Sequence, residues 1–241
     1  MSDQITFLLD NFVNLLIGFP GQRPGGLMMS LFLAVVAIAI GFAIAVLLGM
    51  GYDAKRRPLR WAVHLYVQLF RGLPLILLLL LVHQILGYGR GFGFQRTALT
   101  SALVALTLYS SAYQAEIMRA GLRVVPEPLT ESATLMGSTP RQTYWRIKLR
   151  YCWHVMLPAF TGQAISLFKD TSVVIIIGVA ELMTTARIAL GSDVGNAPYW
   201  VALYLLVGLF YFVVAFSISQ LAQRRERQTR SGDLVHSLAN Y

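Results

Sequence analysis

Charge is what this sequence has least of. Asp, Glu, Lys and Arg together make up 13% of its 241 residues, against roughly 25% in soluble domains. A chain so poor in charge, and 56% hydrophobic, cannot turn most of its surface to water, so the bilayer is its solvent. Cysteine is nearly missing as well. Cys152 stands alone, which rules out an internal disulfide and leaves a packing residue. The four histidines, His64, His83, His154 and His236, show no metal-ligand spacing. No G-x-x-x-x-G-K-[ST] loop occurs, so the chain does not hold a nucleotide in that way. A basic n-region is absent from residues 1–26, which carry Asp3 and Asp10 instead and do not read as a signal peptide. There Ile5, Leu8, Leu9, Phe12, Val13 and Leu16 fall at helical spacing and predict a short interfacial helix.

What fills the rest is apolar sequence in continuous runs. Barrel strands would alternate apolar and polar residues, so the spans are helices. At about 20 residues per crossing, the pattern predicts an all-α, polytopic helical bundle with about five transmembrane helices. The first runs over 27–51, with a stripe of small residues at Ala34, Ala37, Gly41, Ala45 and Gly49 suited to close helix contact. An amphipathic stretch at 59–70 meets Arg71-Gly72-Leu73-Pro74, an elbow. The second span begins at Leu75 and ends in a glycine-rich turn at 87–93. The third covers 97–118. The fourth starts near Val155 and meets a break at Lys169-Asp170, and the fifth covers 199–221. Three regions follow: an N-terminal segment 1–26, a membrane domain 27–222 with a polar loop at about 119–154, and a tail 223–241.

The net charge is +9, and its distribution decides what it means. Lys55, Arg56, Arg57 and Arg60 lie in the first loop. Arg119, Arg123, Arg141, Arg146, Lys148 and Arg150 lie in the third, and Arg224, Arg225, Arg227 and Arg230 in the tail. The opposite side has Arg23, Arg90, Arg96 and Arg187. Basic residues gather on the cytoplasmic side, which predicts the N-terminus outside and the C-terminus inside. The basic excess is a topology signal, and no nucleic-acid partner is expected from it.

The loop at 126–150 is therefore cytoplasmic. Pro126 and Pro128 are expected to end the preceding helix, with a short helix over 130–136 and Gly137 free to take the left-handed turn that stops it. Thr139, Pro140 and Gln142 supply a cap, a first-turn proline and a capping box for the next helix. Two short helices hinged at a glycine make a knob suited to docking on a soluble partner.

The residues at 131–149 resemble a known signature. Glu131-Ser132-Ala133, then Gly137, then Ile147-Lys148-Leu149 are similar to the EAA motif of ABC importer permeases, with the same spacing. Ser132 stands where alanine is usual and Arg150 where proline is usual. Losing that proline lets the second short helix run on toward Tyr151. Phe70-Arg71-Gly72-Leu73-Pro74, the stretch from Ser111 to Gly121, the run Ile165-Ser166-Leu167-Phe168-Lys169-Asp170-Thr171-Ser172 and Ile177-Gly178-Val179-Ala180-Glu181-Leu182 look like segments of the polar amino-acid branch of that family.

The resemblance implies the type I ABC importer permease fold and a multi-pass place in the bacterial cytoplasmic membrane. It implies a second permease subunit, identical or homologous, and two ATPase subunits that hold ATP and Mg. It also implies an extracytoplasmic amino-acid-binding protein, with no cofactor and no catalytic residue in this chain. Glu131, Ser132, Ala133, Gly137, Ile147 and Leu149 would then couple to the ATPase.

Among intramembrane ionisable residues, Glu116 and Arg119 have the spacing of a structural ion pair. Arg71 and Arg119 are placed near the cytoplasmic rim, within reach of anionic lipid or the ATPase. Gln163, Ser166 and Asp170 form a polar stripe on the fourth span, a candidate substrate path or a packing stripe. A secondary transporter or a channel subunit are the alternatives. The first should show internal repeats and the second a filter or charged ring, and neither is visible.

Overall fold

A computed structural model describes residues 2–19, 23–52, 54, 56–88 and 97–238, with backbone alone at 2, 23, 88 and 226–238. Helix α1 (Ser2–Ile17) leads into a tight hairpin of β1 (Gly18–Phe19) and β2 (Arg23–Pro24). Then come α2 (Gly26–Tyr52), α3 (Arg57–Gly72), α4 (Leu75–Tyr88) and α5 (Ala98–Arg123). Two short helices, α6 (Glu127–Leu135) and α7 (Pro140–Thr143), precede a π-helical turn at Tyr144–Lys148. Helix α8 (Leu149–Asp170) runs into a 3-10 segment, Thr171–Ile177. Helix α9 (Leu182–Gly191), a second 3-10 segment (Val194–Tyr199) and α10 (Trp200–Leu238) complete the chain.

Among the described residues three helical runs are long and apolar enough to cross a membrane alone: Gly26–Tyr52, Pro140–Ile177 and Val194–Arg225. Helices α3 and α4 pass together as one bent pair, 108° apart. The bend follows from Leu73, which precedes Pro74 and is extended (φ −86°, ψ 134°), as the proline ring requires of its neighbour. Helix α5 has 26 residues, about 39 Å at 1.5 Å per residue, yet it carries Ser, Thr, Gln, Glu and Arg. It tolerates them because it is wrapped in protein: Ser101, Ser110, Ser111 and Gln114 are all buried.

The core is built on α5. The small-residue stripe of α2 faces it, and a β-carbon at Gly41 would sit 3.1 Å from Gln114 Nε2 and the Ser111 backbone. Without that β-carbon Gln114 reaches across to the Ile38 carbonyl (3.2 Å) and bonds Ser110 (2.7 Å). In lipid, where no hydrophobic drive pulls helices together, this close packing supplies the attraction. Gly121 plays the same part toward α8, since a side chain there would collide with Cys152 and Met156. The buried thiol rests on Met118 Sδ at 3.4 Å.

Helical backbone is already continuous where the fourth span is expected to begin near Val155, running from Pro140 to Ile177. The loss of proline at 150 had implied only a short extension. Helix α5 stops at Arg123 with Val124 as its C-cap, and Pro126 stands two residues beyond, where a proline cannot continue the helix. Pro126 caps α6 and Pro128 occupies its first turn, where a missing N–H costs nothing. Helix α10 passes position 222 without a break. Helix α1 seats Phe7 and Leu15 against Leu182, Ala186 and Leu203. Of the predicted stripe, Ile5, Leu9 and Val13 face outward, while Phe12 stands edge-on to Phe210 of α10 at 5.5 Å. Most of the glycine-rich turn, with Arg90 and Arg96, lies outside the described residues.

Candidate functional site

The knob is written in local backbone chemistry. Met136 ends α6, and Gly137 turns left-handed at φ +78°. Its N–H donates to the Thr134 carbonyl (2.9 Å) and that of Ser138 to Ala133 (2.9 Å), the paired bonds of a Schellman stop. Helix α7 opens with a complete capping box: Gln142 N–H donates to Thr139 Oγ1 (3.3 Å) and Thr139 N–H to Gln142 Oε1 (2.8 Å). The turn between the two helices projects Leu135 and Met136, which are 89% and 85% exposed.

Ala133 is the buried contact of α6, while Glu131, Ser132 and Gly137 are exposed. Ile147 and Leu149 are half-buried, and Leu149 packs on the cluster of Val46, Met118 and Cys152. Sequence reasoning missed the tie that holds the knob to the bundle. Tyr144, buried in the π-helical turn, donates its hydroxyl to the Val46 carbonyl of α2 (2.7 Å). A β-carbon at Gly49 would stand 2.6 Å from that hydroxyl, so the last small residue of the α2 stripe makes the tie possible. Between the end of α2 and the knob lies an open cleft of about 860 Å³, lined by Glu127, Glu131, Arg141 and Lys148 among others.

Glu116 and Arg119 are in contact. Arg119 Nε donates to both carboxylate oxygens (3.0 and 2.9 Å). The elbow residue Arg71 also reaches Glu116, at 3.7 Å, and lies over the Tyr113 ring at 5.3 Å. Both arginines placed near the rim by sequence thus converge on one carboxylate, which ties the α3–α4 elbow to α5.

The polar stripe of α8 divides. Gln163 lines a cavity of about 220 Å³ with Gln114, Thr161, Phe42 and Ile218, and its buried Nε2 has no hydrogen-bond partner. Ser166 is exposed, and Asp170 is half-buried at the end of α8, and neither lines that cavity.

One buried carboxylate escaped the sequence reading although its segment was singled out. Glu181 is 0% exposed and caps α9, accepting from the N–H groups of Thr184 (2.7 Å) and Met183 (2.9 Å). It also accepts from the hydroxyls of Thr184 (3.0 Å), Tyr211 (3.2 Å) and Ser30 (3.4 Å). Five donors on one carboxylate join α2, α9 and α10. The missed signal was its place as the lone acidic residue between two apolar segments.

A family model described as "Binding-protein-dependent transport system inner membrane component" matches residues 37–230. The glutamate transport system permease protein GluD of Corynebacterium glutamicum is 32% identical over 208 residues, 86% of this chain and 73% of that protein. The probable glutamine ABC transporter permease protein GlnP of Bacillus subtilis is 32% identical over 205 residues, covering 85% of this chain and 92% of that one. Among solved structures, a chain from an amino acid ABC transporter crystallised with histidines superposes with a TM-score of 0.75 at 26% identity. That match covers 93% of this chain and 96% of the other.

Proposed function

This chain belongs to the family of binding-protein-dependent transport system inner membrane components, and from that premise we propose that it serves as both conduit and lever of its importer. It is a permease subunit of the amino-acid ABC importer kind, a transport component of the inner membrane. Five crossings, with the N-terminus outside, fit the basic-residue distribution and count α5 as a crossing shielded by its neighbours. The membrane is the bacterial cytoplasmic membrane.

The partners we assign are a second permease, identical or homologous, two ATPase subunits that bind ATP and Mg, and an extracytoplasmic amino-acid-binding protein. The ATPases grip the knob. Their closure on ATP displaces it, and the displacement travels along the unbroken run Pro140–Ile177 to the left-handed break at Gly178 (φ +78°). A stiff helix transmits motion over its length, and a positive-φ glycine gives a place to bend. Gln163, Ser166 and Asp170 remain the candidate substrate path, with Gln163 favoured because its buried amide lacks a partner, a state that costs free energy unless something fills it.

The observation that carries this reading is the knob itself. Two nearly bare apolar side chains sit on a turn stopped and restarted by explicit capping, and a buried tyrosine anchors it to α2. Exposed side chains of this kind gain on the order of 1.5–3 kcal/mol each when a partner covers them. The test is the double variant Leu135→Asp, Met136→Asp, co-expressed with the ATPase and binding protein. We expect normal membrane insertion, loss of at least about tenfold in ATPase retained on purification, and loss of labelled amino-acid uptake in proteoliposomes. Wild-type retention and uptake would remove the knob from the coupling path.

A further inference from the structure

A small, partly enclosed pocket lies beside the Glu116 network, where the C-terminal turn of α5 meets the end of α2 and the first half of α3. It measures about 130 Å³ and is lined by Tyr52, His64, Arg119, Leu122 and Arg123. We propose that this pocket is a binding site for a phosphate-class oxyanion.

Charge makes the first part of the case. Arg71, Arg119 and Arg123 bring three guanidinium groups to a region whose one described carboxylate is Glu116. That carboxylate is already shared by Arg71 and Arg119. Arg123 sits one turn beyond Arg119 on the same face of α5, a like-charge i, i+4 placement that is unfavourable on its own. Among the described residues it has no ion-pair partner. An anion between the two arginines would relieve the repulsion, and guanidinium forks suit phosphate oxygens.

The second part is an orphaned donor. Tyr52 is 6% exposed and lines the pocket, yet its buried hydroxyl closes no hydrogen bond. Glu116 lies within interaction range of it but short of the geometry of a closed hydrogen bond. A buried hydroxyl left so is rare and costly, and an oxyanion in the pocket would accept from it. His64 stands edge-on to the Tyr52 ring at 5.1 Å and offers a further ring nitrogen. Among the described residues the lining thus offers four possible donors and no carboxylate.

Two sources carry this chemistry: the headgroup of an anionic phospholipid and free phosphate. The lipid source rests on the orientation proposed above, which puts this end of α5 at the cytoplasmic leaflet, where basic pockets between helices take lipid headgroups. Anion binding as such does not depend on that orientation.

The purified transporter complex would be examined by native mass spectrometry after exposure to phosphatidylglycerol in detergent, with inorganic phosphate as a separate probe and as competitor. We expect wild-type protein to retain phosphatidylglycerol over phosphatidylcholine. Arg123→Gln should reduce retention about fivefold, the worth of one arginine near a membrane surface, and His64→Gln should reduce it less. Equal occupancy by inorganic phosphate, lost in Arg123→Gln, would assign the pocket to the free ion. If neither probe binds more weakly to Arg123→Gln than to wild type, the inference is wrong. It is equally wrong if that variant loses only the ATPase subunits, because the arginine would then belong to a protein interface.

Discussion

At the scale of single residues, the strongest commitments are made by groups whose partners lie far away in the chain. Glu181 receives five hydrogen bonds from three helices. Glu181→Ala strips α9 of its cap, worth about 1 kcal/mol. It also removes the carboxylate that the Ser30 and Tyr211 hydroxyls share, at about 0.5–1.5 kcal/mol for each hydrogen bond lost. We expect a clear fall in the thermal midpoint of the detergent-solubilised protein, followed by fluorescence-detected size exclusion. An unshifted midpoint would show that the carboxylate is dispensable. Gln163 poses the opposite case, a buried amide nitrogen lacking a partner. Gln163→Leu should leave assembly with the ATPase intact while it lowers uptake or alters the preference among amino acids. Uptake kinetics unchanged across a panel of amino acids would mark the residue as packing.

At the scale of elements, α6 and α7 act as one body only while Gly137 stays left-handed. Its φ of +78° is a region where a β-branched residue is a genuine outlier, at about 1–3 kcal/mol. Open space surrounds the position where a β-carbon would stand, so the penalty is conformational and not steric. Gly137→Val should therefore re-aim the knob without disturbing any span. Membrane insertion should be normal, ATPase attachment weakened, and stimulation of ATP hydrolysis by loaded binding protein lost. Gly137→Ala should be milder. Hydrolysis in proteoliposomes with and without the binding protein distinguishes the two variants, and wild-type stimulation in Gly137→Val would separate the knob from coupling.

For the whole molecule, the question is how a chain whose described residues include three helical runs long and apolar enough to cross, and one bent pair, sits in its membrane. We expect reporter fusions after Arg57, Arg141 and Arg225 to report cytoplasm, and one near Ser192 to report the outside. A cytoplasmic signal at Ser192 would overturn the five-crossing arrangement, because α8 and its 3-10 extension would not then have crossed.

Much of this was legible in the chain itself. Continuous apolar runs dictate helices in lipid, because an unpaired backbone group there has no water to turn to. Leu73-Pro74 dictates an elbow, and Gly137 with Thr139, Pro140 and Gln142 dictates a stop and a restart, because these effects act within a few residues of backbone. Tertiary structure alone decided the rest. It decided that the polar side chains of α5 are buried in protein, that Arg71 joins the Glu116–Arg119 pair, and that Phe7 and Leu15 of α1 pack on α9 and α10. It also decided that Tyr144 reaches Val46 through the gap at Gly49, and that Glu181 gathers three helices. Each of these joins residues that are adjacent only after helices pack. Packing in a membrane depends on side-chain shape and on the partners left for polar groups, which a local pattern of residue types does not encode.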